Sequence, residues 1–258
     1  MKAGVCIKLV PSLEGQISIS DPNKGVDKGS KMIINPYDEF ALEEAVRLKE
    51  KGVVESVVAY IINSDKKAVS QIRAALARGA DSAVHINDLA ENADALMVAK
   101  TLAAAMKEDD LTMVFCGKQS TDGDGSQIPP MLAELLNCAQ ATAISKLELD
   151  GSNFKAWRDI GGGNKGVVCG SLPAVFSCDK GLNSPRFIKL RDRTKAKKKP
   201  LKTVSVSDLD VDLSSGPIVL ESNWGLPSRK AECRFIEGDT KTAVAELVRL
   251  LREEAKVI

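Results

Sequence analysis

The chain has 258 residues, of which 44% are hydrophobic, so it is long enough to bury a substantial core. Its formal net charge of +1 gives no overall field to steer nucleic acid or an anionic membrane, and no stretch reaches the roughly 18 to 20 apolar residues of a membrane span. Six scattered cysteines without a C-x-x-C pair are typical of reduced thiols. We therefore expect a cytoplasmic protein with no nucleic-acid partner and no direct membrane insertion.

Apolar runs that alternate with helical patterns fill the first two thirds of the sequence. Four runs, at residues 4–10, 56–62, 82–86 and 111–116, have the continuous hydrophobicity of parallel strands that are covered on both faces. Asn35 and Pro36 open a first helix that Gly52 ends, and further helices are predicted at about 65–78 and 94–107. This order predicts an α/β fold: an open, mostly parallel, Rossmann-like nucleotide-binding sheet with helices on both faces.

The pattern changes after residue 141. Turn signals at residues 150–151 and 161–163 predict an antiparallel hairpin region, and residues 172–178 read as one more buried strand. A basic loop at 180–202 and a segment rich in Ser, Pro and Gly precede a last amphipathic helix at about 240–255. We expect residues 1–202 to form the nucleotide-binding domain and residues 203–258 to form a C-terminal arm that needs another surface to lie on.

Few residues are suited to catalysis. His85 lies in an apolar strand, where a structural role is expected instead of a general base. Without a second histidine or a thiol pair, the sequence lacks the parts of a zinc site or of a Ser-His or Cys-His nucleophile. GGGNKG at residues 161–166 has a dinucleotide-binding spacing, but short strands flank it and we interpret it as a hairpin turn. No catalytic residue and no metal site are expected.

The glycine-rich loop GKQSTDGDGSQIPP, residues 117–130, has the context of a phosphate-binding loop. It follows a predicted strand and leads into a helix at about 127–136, so that free backbone N–H groups and the positive helix end lie together. Gly123, Gly125 and Ser126 allow backbone to approach a ligand, and Gln127 offers a donor and an acceptor to a base or ribose. The alternative is a glycine-rich turn that binds nothing.

Other predicted strands supply neighbours for this loop. Lys8 follows the first strand and Asn63 the second, while Asn35 and Pro36 open the first helix. The carboxyl ends of parallel strands meet at one edge of the sheet, where open α/β folds bind ligands. These residues are therefore expected around the same site.

Six segments occur in a specific order along nearly the whole chain: NPYDEFALEEAVRLKEKG, RAALARGAD, GKQSTDGDGSQ, WRDIGGG, LPAVFSCDKGLNSPRF and KAKKKP. Through them the sequence resembles the β (small) subunit of electron transfer flavoprotein. The resemblance implies a heterodimer with an α subunit that holds the redox-active FAD, and a β subunit that carries electrons without being an enzyme. Electrons pass from acyl-CoA dehydrogenases of fatty acid oxidation, or other flavin dehydrogenases, to a quinone oxidoreductase. The location would be the bacterial cytoplasm or, in a eukaryote, the mitochondrial matrix.

The resemblance also implies a structural AMP in this subunit and two residues near the α-subunit flavin, Leu13 and Arg158. In the ordinary branch of the family, the β subunit binds this AMP. The expected nucleotide-site residues combine the positions that match the family's site with those expected at the sheet edge. They are Cys6, Lys8, Asn35, Pro36, Tyr37, Asp38, Asn63, Gly117, Lys118, Gln119, Ser120, Thr121, Asp122, Gly123, Asp124, Gly125, Ser126, Gln127 and Ile128.

The resemblance further implies a partner-recognition loop at residues 186–200. In it, Leu190 matches an exposed leucine that enters a hydrophobic pocket of the dehydrogenase, and a polar rim around such an anchor is typical of interfaces. We assign Arg186, Lys195, Lys197 and Lys198 to the same partner-binding surface. The residues around Leu190 are more polar than usual for the family.

Two alternatives remain open at this point. The loop DGDGSQIPP is close to that of the electron-bifurcating branch, in which the β subunit holds a second FAD and the complex oxidises NADH. The segments KAKKKP and EEAVRLKEKG instead resemble those of the ordinary branch. An alternative of another class is an adenine-nucleotide-binding enzyme or sensor, but KLVPSLEGQ lacks the serine- and glycine-containing phosphate loop that such an enzyme needs after its first strand.

Overall fold

This computed structural model describes all residues except 13, 15–17, 24, 28–30, 65–67, 91, 215, 217–221 and 227–232. The described residues divide into two compact units, Met1–Trp224 and Gly225–Ile258. The strands, all in the first unit, are Lys2–Ile7 (β1), Leu9–Pro11 (β2), Met32–Ile34 (β3), Ser56–Ile62 (β4), Ser82–Asn87 (β5), Leu111–Gly117 (β6), Ala139–Asp150 (β7), Asn153–Asp159 (β8), Lys165–Ser171 (β9), Ala174–Cys178 (β10) and Leu201–Ser205 (β11).

One large sheet organises the first unit. In the described residues it has nine strands in the order β11-β5-β4-β1-β6-β10-β7-β8-β9. Neighbours are parallel from β11 to β7 and antiparallel from β7 to β9. A separate antiparallel pair joins β2 to β3. The expected fold class is confirmed, with the predicted hairpin region forming an extension of the sheet.

The helices follow the strands as the sequence pattern requires. Asp94 caps one helix by accepting a hydrogen bond from the Met97 N–H at 3.0 Å. Gly79 ends another with a φ of +132°, in the region that favours glycine. The helices are Pro36–Glu50 (α1), Val69–Arg78 (α2), Ala95–Met106 (α3), Ile128–Leu135 (α4), Leu190–Ala196 (α5) and Thr240–Arg249 (α6), the last continued by a π-helical turn at Leu250–Glu254.

Two apolar clusters cover the two faces of the sheet. One contains Leu42 of α1 and Ile72 of α2, and the other contains Leu102 of α3 and Leu132 of α4. Successive strand residues alternate between them, since a strand points its side chains to opposite faces. In β6, for example, Phe115 belongs to the first cluster, while its neighbours on either side belong to the second.

The basic segment has more regular structure than the sequence pattern indicates. Residues 180–202, expected as a loop, contain α5 and the start of β11. β11 pairs in parallel with β5 and extends the sheet beyond residue 202. The division between the two compact units lies at Trp224, later in the chain than the expected start of the arm.

Candidate functional site

A buried carboxylate joins three chain segments at the carboxyl edge of the sheet. The side chain of Asp38, in the first turn of α1, accepts hydrogen bonds from the backbone N–H groups of Lys8 at 2.7 Å and Gly117 at 3.1 Å. The Asn35 Nδ2 atom donates to the same carboxylate at 2.9 Å. Burial raises the pKa of Asp38 to about 7, although the three donors oppose this shift by stabilising the charged form. Asp38 therefore fixes the ends of β1 and β6 against α1.

Gly117 is required by this close approach. A Cβ atom at this position would overlap the Asp38 carboxylate and lie 2.8 Å from the backbone carbonyl carbon of Tyr37. Only glycine lets the end of β6 come this near to the first turn of α1.

Asn35 uses its side chain to hold the glycine-rich loop. Its side chain makes no capping bond to α1. The Nδ2 atom also donates to the Gln119 carbonyl oxygen at 2.9 Å, and the Oδ1 atom accepts from the Thr121 N–H at 3.2 Å. Asn35 is 1% exposed, so these bonds are shielded from water and connect the loop firmly to α1.

The two acidic side chains of the loop have polar partners. The Lys8 ammonium lies 2.7 Å from an Asp122 carboxylate oxygen and 3.3 Å from the Ser120 hydroxyl. The Gln119 amide donates to Asp124 at 2.7 Å. These contacts offset the two negative charges in a loop that is expected to receive phosphate.

The backbone of the same loop presents donors. The left-handed positions are Asp124, with a φ of +48°, and Ser126, with a φ of +53°, and not the neighbouring glycines. The N–H groups from Gly125 to Ile128 have no acceptor within the described part of the chain. Because residues 129 and 130 at the start of α4 are prolines and lack an N–H, these loop groups are the available donors at that helix end.

Gly123 and Gly125 leave open space in the loop. A Cβ atom at Gly123 would find the Ser120 hydroxyl at 3.6 Å, and one at Gly125 would find the Gly123 carbonyl oxygen at 3.9 Å, both ordinary contacts. The chain itself does not require glycine at these two positions. A ligand that approaches the backbone closely would require it.

A cavity of about 340 Å³ lies beside this loop. Most of the expected nucleotide-site residues line it: Cys6, Lys8, Asn35, Asp38, Gly117, Lys118, Gln119, Ser120, Gly123, Gly125, Ser126, Gln127 and Ile128. The remaining expected residues, Pro36, Tyr37, Asn63, Thr121, Asp122 and Asp124, are not among the lining residues. Of these, Asp122 and Asp124 contact lining residues through the bonds to Lys8 and Gln119.

One wall of the cavity, at the start of α3, was not predicted from the sequence. This wall contains Ala93, Asp94, Ala95, Val98 and Leu102. β5 is parallel to β4, so the helix that follows β5 begins at the same edge of the sheet as the glycine-rich loop. The order of strands and helices was therefore sufficient to predict this wall. Apart from Asp94, the wall consists of small and apolar side chains.

Cys6 and Cys116 lie on adjacent strands at the base of the cavity. A hydrogen bond to Cys6 and burial raise the pKa of the Cys116 thiol, so it stays protonated. Both are free thiols in the structure. They act as small buried side chains that shape the cavity floor.

Arg186 holds the predicted recognition loop to α1. Its guanidinium bonds to Glu43 at 2.8 and 3.0 Å and to Glu50 at 2.6 and 2.9 Å, and these carboxylates raise its pKa. All three guanidinium nitrogens bond to these two carboxylates, so in this structure Arg186 holds the loop in place. Its contact with a partner protein stays a prediction. Leu190, the first residue of α5, is 82% exposed. The predicted contact residues Lys195, Lys197 and Lys198 are also exposed.

The other residues singled out in the sequence lie away from the cavity lining or outside the described residues. Arg158 is half-buried on β8, and its Nε atom is buried without a hydrogen-bond partner among the described residues. Leu13 is outside the described residues. His85 is 6% exposed, and its Nε2 atom lies 2.7 Å from the Asn63 carbonyl oxygen, which fits a structural strand residue.

The described ranges contain neither a candidate membrane-spanning helix nor a cluster of potential metal ligands. None of the helices there combines the length and the apolar character that a bilayer crossing demands. Over the same ranges, no three His, Cys, Asp or Glu side chains come together as a set of metal ligands.

Comparison with known proteins gives a consistent result. A family model described as "Electron transfer flavoprotein domain" matches residues 25–209. The chain is 37% identical over 263 residues to "Electron transfer flavoprotein subunit beta" of Bacillus subtilis, with both proteins covered completely. It is 38% identical over 262 residues to the mitochondrial subunit beta of Oryza sativa subsp. japonica, again over both full lengths. Against the subunit beta of Mus musculus, identity is 38% over 219 residues, which cover 83% of this chain and 85% of the mouse protein.

Proposed function

Because the chain belongs to the electron transfer flavoprotein β-subunit family, we propose that it pairs with an α subunit whose FAD it supports, and that it positions this FAD for electron transfer. The FAD supplies the redox chemistry, and the β subunit supplies a rigid platform and a docking surface. Family membership over the full length argues against the alternative of an unrelated nucleotide-binding enzyme or sensor.

The ligand that the cavity fits best is AMP. The observation that carries this proposal is the row of N–H donors from Gly125 to Ile128 beside a cavity of about 340 Å³. Backbone N–H groups at a helix start favour phosphate, and the wall at the start of α3 suits the adenine. Ligand cavities span roughly 300–1,000 Å³, so this one is at the lower end, as expected for a mononucleotide.

A second FAD is the other candidate ligand, and its presence would make the complex an electron-bifurcating one that oxidises NADH. The open space at Gly123 and Gly125 favours it, since a dinucleotide needs more room along the loop. The size of the cavity and the basic loop, which resembles that of the ordinary branch, favour AMP.

The external partners follow from the same family assignment. Acyl-CoA dehydrogenases of fatty acid oxidation, or other flavin dehydrogenases, would deliver electrons, and a quinone oxidoreductase would accept them. Exposed Leu190 and the lysines of α5 and its C-terminal end support a docking role. The location would be the cytoplasm of a bacterium or the mitochondrial matrix of a eukaryote.

The second compact unit, Gly225–Ile258, contains the last part of the proposed arm, residues 203–258, and would pack on the α subunit. Its helix α6 has no buried residue, and Val244 and Leu247 are 55% and 46% exposed. An amphipathic helix with an uncovered apolar face gains stability from a partner surface.

Counting the bound ligands tests this proposal directly. The β chain is co-expressed with its α subunit, the heterodimer is purified and denatured, and FAD and AMP are separated and quantified. We expect one FAD and one AMP per heterodimer. Two FAD molecules without AMP would assign the bifurcating function, and a heterodimer whose β subunit carries neither ligand would contradict the nucleotide site.

A further inference from the structure

Phe187 is the most exposed large apolar residue among the described residues of the first unit. It is 96% exposed, and Leu190, three residues later, is 82% exposed. The next large apolar side chain in the same described region, Ile160, is 60% exposed. Three residues span at most about 10 Å, so the two exposed residues lie close together along the chain. The resemblance accounts for Leu190 but not for Phe187.

The segment that carries these two side chains is fixed on its N-terminal side. The Lys118 ammonium bonds to Asp179 at 2.9 Å, and the Asn183 amide donates to Glu44 at 2.9 Å. The backbone N–H of Arg186 donates to Glu43 at 3.1 Å, in addition to the bonds of its guanidinium. Ile188, the residue after Phe187, is partly buried and packs on the apolar cluster that contains residues of α1 and α2.

The segment is also fixed on its C-terminal side. Ala196, at the end of α5, is fully buried. Arg73 of α2 donates to the carbonyl oxygens of Ala196 at 2.9 Å and Lys199 at 2.6 Å. The Lys199 ammonium donates in turn to the Leu76 carbonyl oxygen at 2.9 Å. The segment that carries Phe187 and Leu190 is therefore bonded to the rest of the protein on both sides of these two exposed side chains.

The chain from Arg186 to Lys199, which carries Phe187 and Leu190, is rich in cationic residues. Lys189, Arg193, Lys195, Lys197 and Lys198 form no ion pair within the described residues. A partner surface complementary to these residues has an apolar centre and an acidic rim. The reason is that buried anchors provide most of the affinity of an interface, while charges at its rim steer the encounter.

We infer that Phe187 and Leu190 form a two-point apolar anchor, which enters a pocket rimmed by carboxylates on the flavin dehydrogenase that reduces the heterodimer. This inference rests on the proposed function and names a second anchor residue and the chemistry of the partner surface. Phe187 provides a large rigid side chain at a low entropic cost, as aromatic anchors do. Arg186 holds the anchor in place without being part of it.

Steady-state kinetics of the FAD-loaded heterodimer test the inference. The electron donor is a purified, substrate-reduced acyl-CoA dehydrogenase, and the variants are Phe187→Ala, Phe187→Leu, Leu190→Ala and, as a matched control, Leu135→Ala at the distant end of α4. Phe187→Ala and Leu190→Ala should each raise the KM for the heterodimer at least about tenfold. Phe187→Leu should recover most of the loss, and Leu135→Ala should leave the KM unchanged. Reduction of the FAD by dithionite should be the same in all variants.

The possible results separate the inference from the proposed function. An unchanged KM for Phe187→Ala overturns the two-point anchor, whether or not Leu190→Ala has an effect, and leaves the electron-carrier function intact. A wild-type heterodimer whose FAD is reduced by dithionite but not by the dehydrogenase contradicts the proposed donor, and the inference with it. Lys195→Glu should raise the KM more at low salt than at high salt, whereas the effect of Phe187→Ala should not depend on salt.

Discussion

The fold requires glycine at one position of the candidate site, Gly117, and does not require it at another, Gly123. Gly117 faces a buried carboxylate at overlapping distance, whereas Gly123 faces only open space and the Ser120 hydroxyl at 3.6 Å. The first is glycine because the fold needs it. The second is free to vary as far as the fold is concerned, so a ligand is the physical reason for its small size.

This contrast predicts a separation between stability and binding. Gly117→Ala should lower the free energy of unfolding by about 1–3 kcal/mol, because the added methyl group overpacks a close contact. Gly123→Ala should leave stability within about 0.5 kcal/mol and weaken AMP binding. Urea unfolding and isothermal titration with AMP measure the two effects. Equal loss of stability in both variants would contradict the assignment of Gly123 to a ligand.

Asp38 predicts a pH dependence with a defined sign. Burial raises its pKa from 3.8 to about 7, so between these values the folded protein holds a proton that the unfolded chain has released. The contribution of Asp38 to stability is therefore fully present below about pH 4 and is lost as the pH rises through about 7. The nearby thiols Cys116 and Cys178 have raised pKa values and do not titrate in this window.

Asp38→Asn isolates this effect. Asparagine cannot accept at both positions, so one backbone donor loses its acceptor and the variant is less stable at acidic pH. The stability difference between wild type and variant should shrink as the pH rises from 4.5 to 7.5, because only the wild type loses stability with deprotonation of this group. Urea unfolding at several pH values measures it. A difference that stays constant across the window would show that Asp38 does not titrate there.

The residue scale also shows how far the sequence could predict the site. The glycine-rich loop and its neighbours Lys8 and Asn35 were identified because parallel strands end at one edge of a sheet. The bonding pattern was not predictable, because it depends on contacts between distant segments. Asn35 looked like a helix cap, but its side chain holds the loop, and the left-handed positions fall on Asp124 and Ser126 and not on glycines.

Among the secondary-structure elements, α1 holds the segment between β10 and β11 in place. Glu43 and Glu44 are 7% and 6% exposed on the helix surface, where the sequence pattern alone predicts solvated charges. The structure explains them, since both carboxylates hold the segment that carries Phe187 and Leu190. α5 and β11 were missed for a related reason: neither the strongly charged sequence of α5 nor the short sequence of β11 indicates burial, and the two elements pack on α2 and β5.

Arg186→Lys should loosen this segment. Lysine keeps the charge but cannot bond to Glu43 and Glu50 at once, and a nearly buried carboxylate loses part of its compensation. We expect a loss of about 1–2 kcal/mol in the free energy of unfolding, since the guanidinium is partly exposed. Backbone hydrogen exchange should become faster at residues 183–193. Arg191→Lys serves as the control, because the ion pair that Arg191 makes among the described residues is with its neighbour Asp192, at 3.7 Å. Unchanged exchange in Arg186→Lys would contradict the role of Arg186 in holding this segment to α1.

At the scale of the whole molecule, the alternation of apolar runs and helices was sufficient to predict the sheet, because hydrophobic periodicity reports burial directly. It was not sufficient to assign a packing surface to the C-terminal helix α6. The second unit has a helix with a clear amphipathic pattern and no buried residue. The apolar face of α6 is not covered by the described residues, and this is the reason for our proposal that it packs on the α subunit.

Substitutions on the two faces of α6 test that argument. Leu247→Asp places a charge on the uncovered apolar face, and should reduce co-purification of the α subunit at least about tenfold, since a buried unpaired charge is strongly unfavourable. Thr242→Asp introduces the same side chain on the opposite face, near the helix start where a negative charge is favourable, and should assemble normally. Tandem-affinity purification with quantified subunit ratios measures both. If Leu247→Asp assembles as well as Thr242→Asp, the apolar face of α6 does not bind the α subunit, and the arm must contact it through other residues.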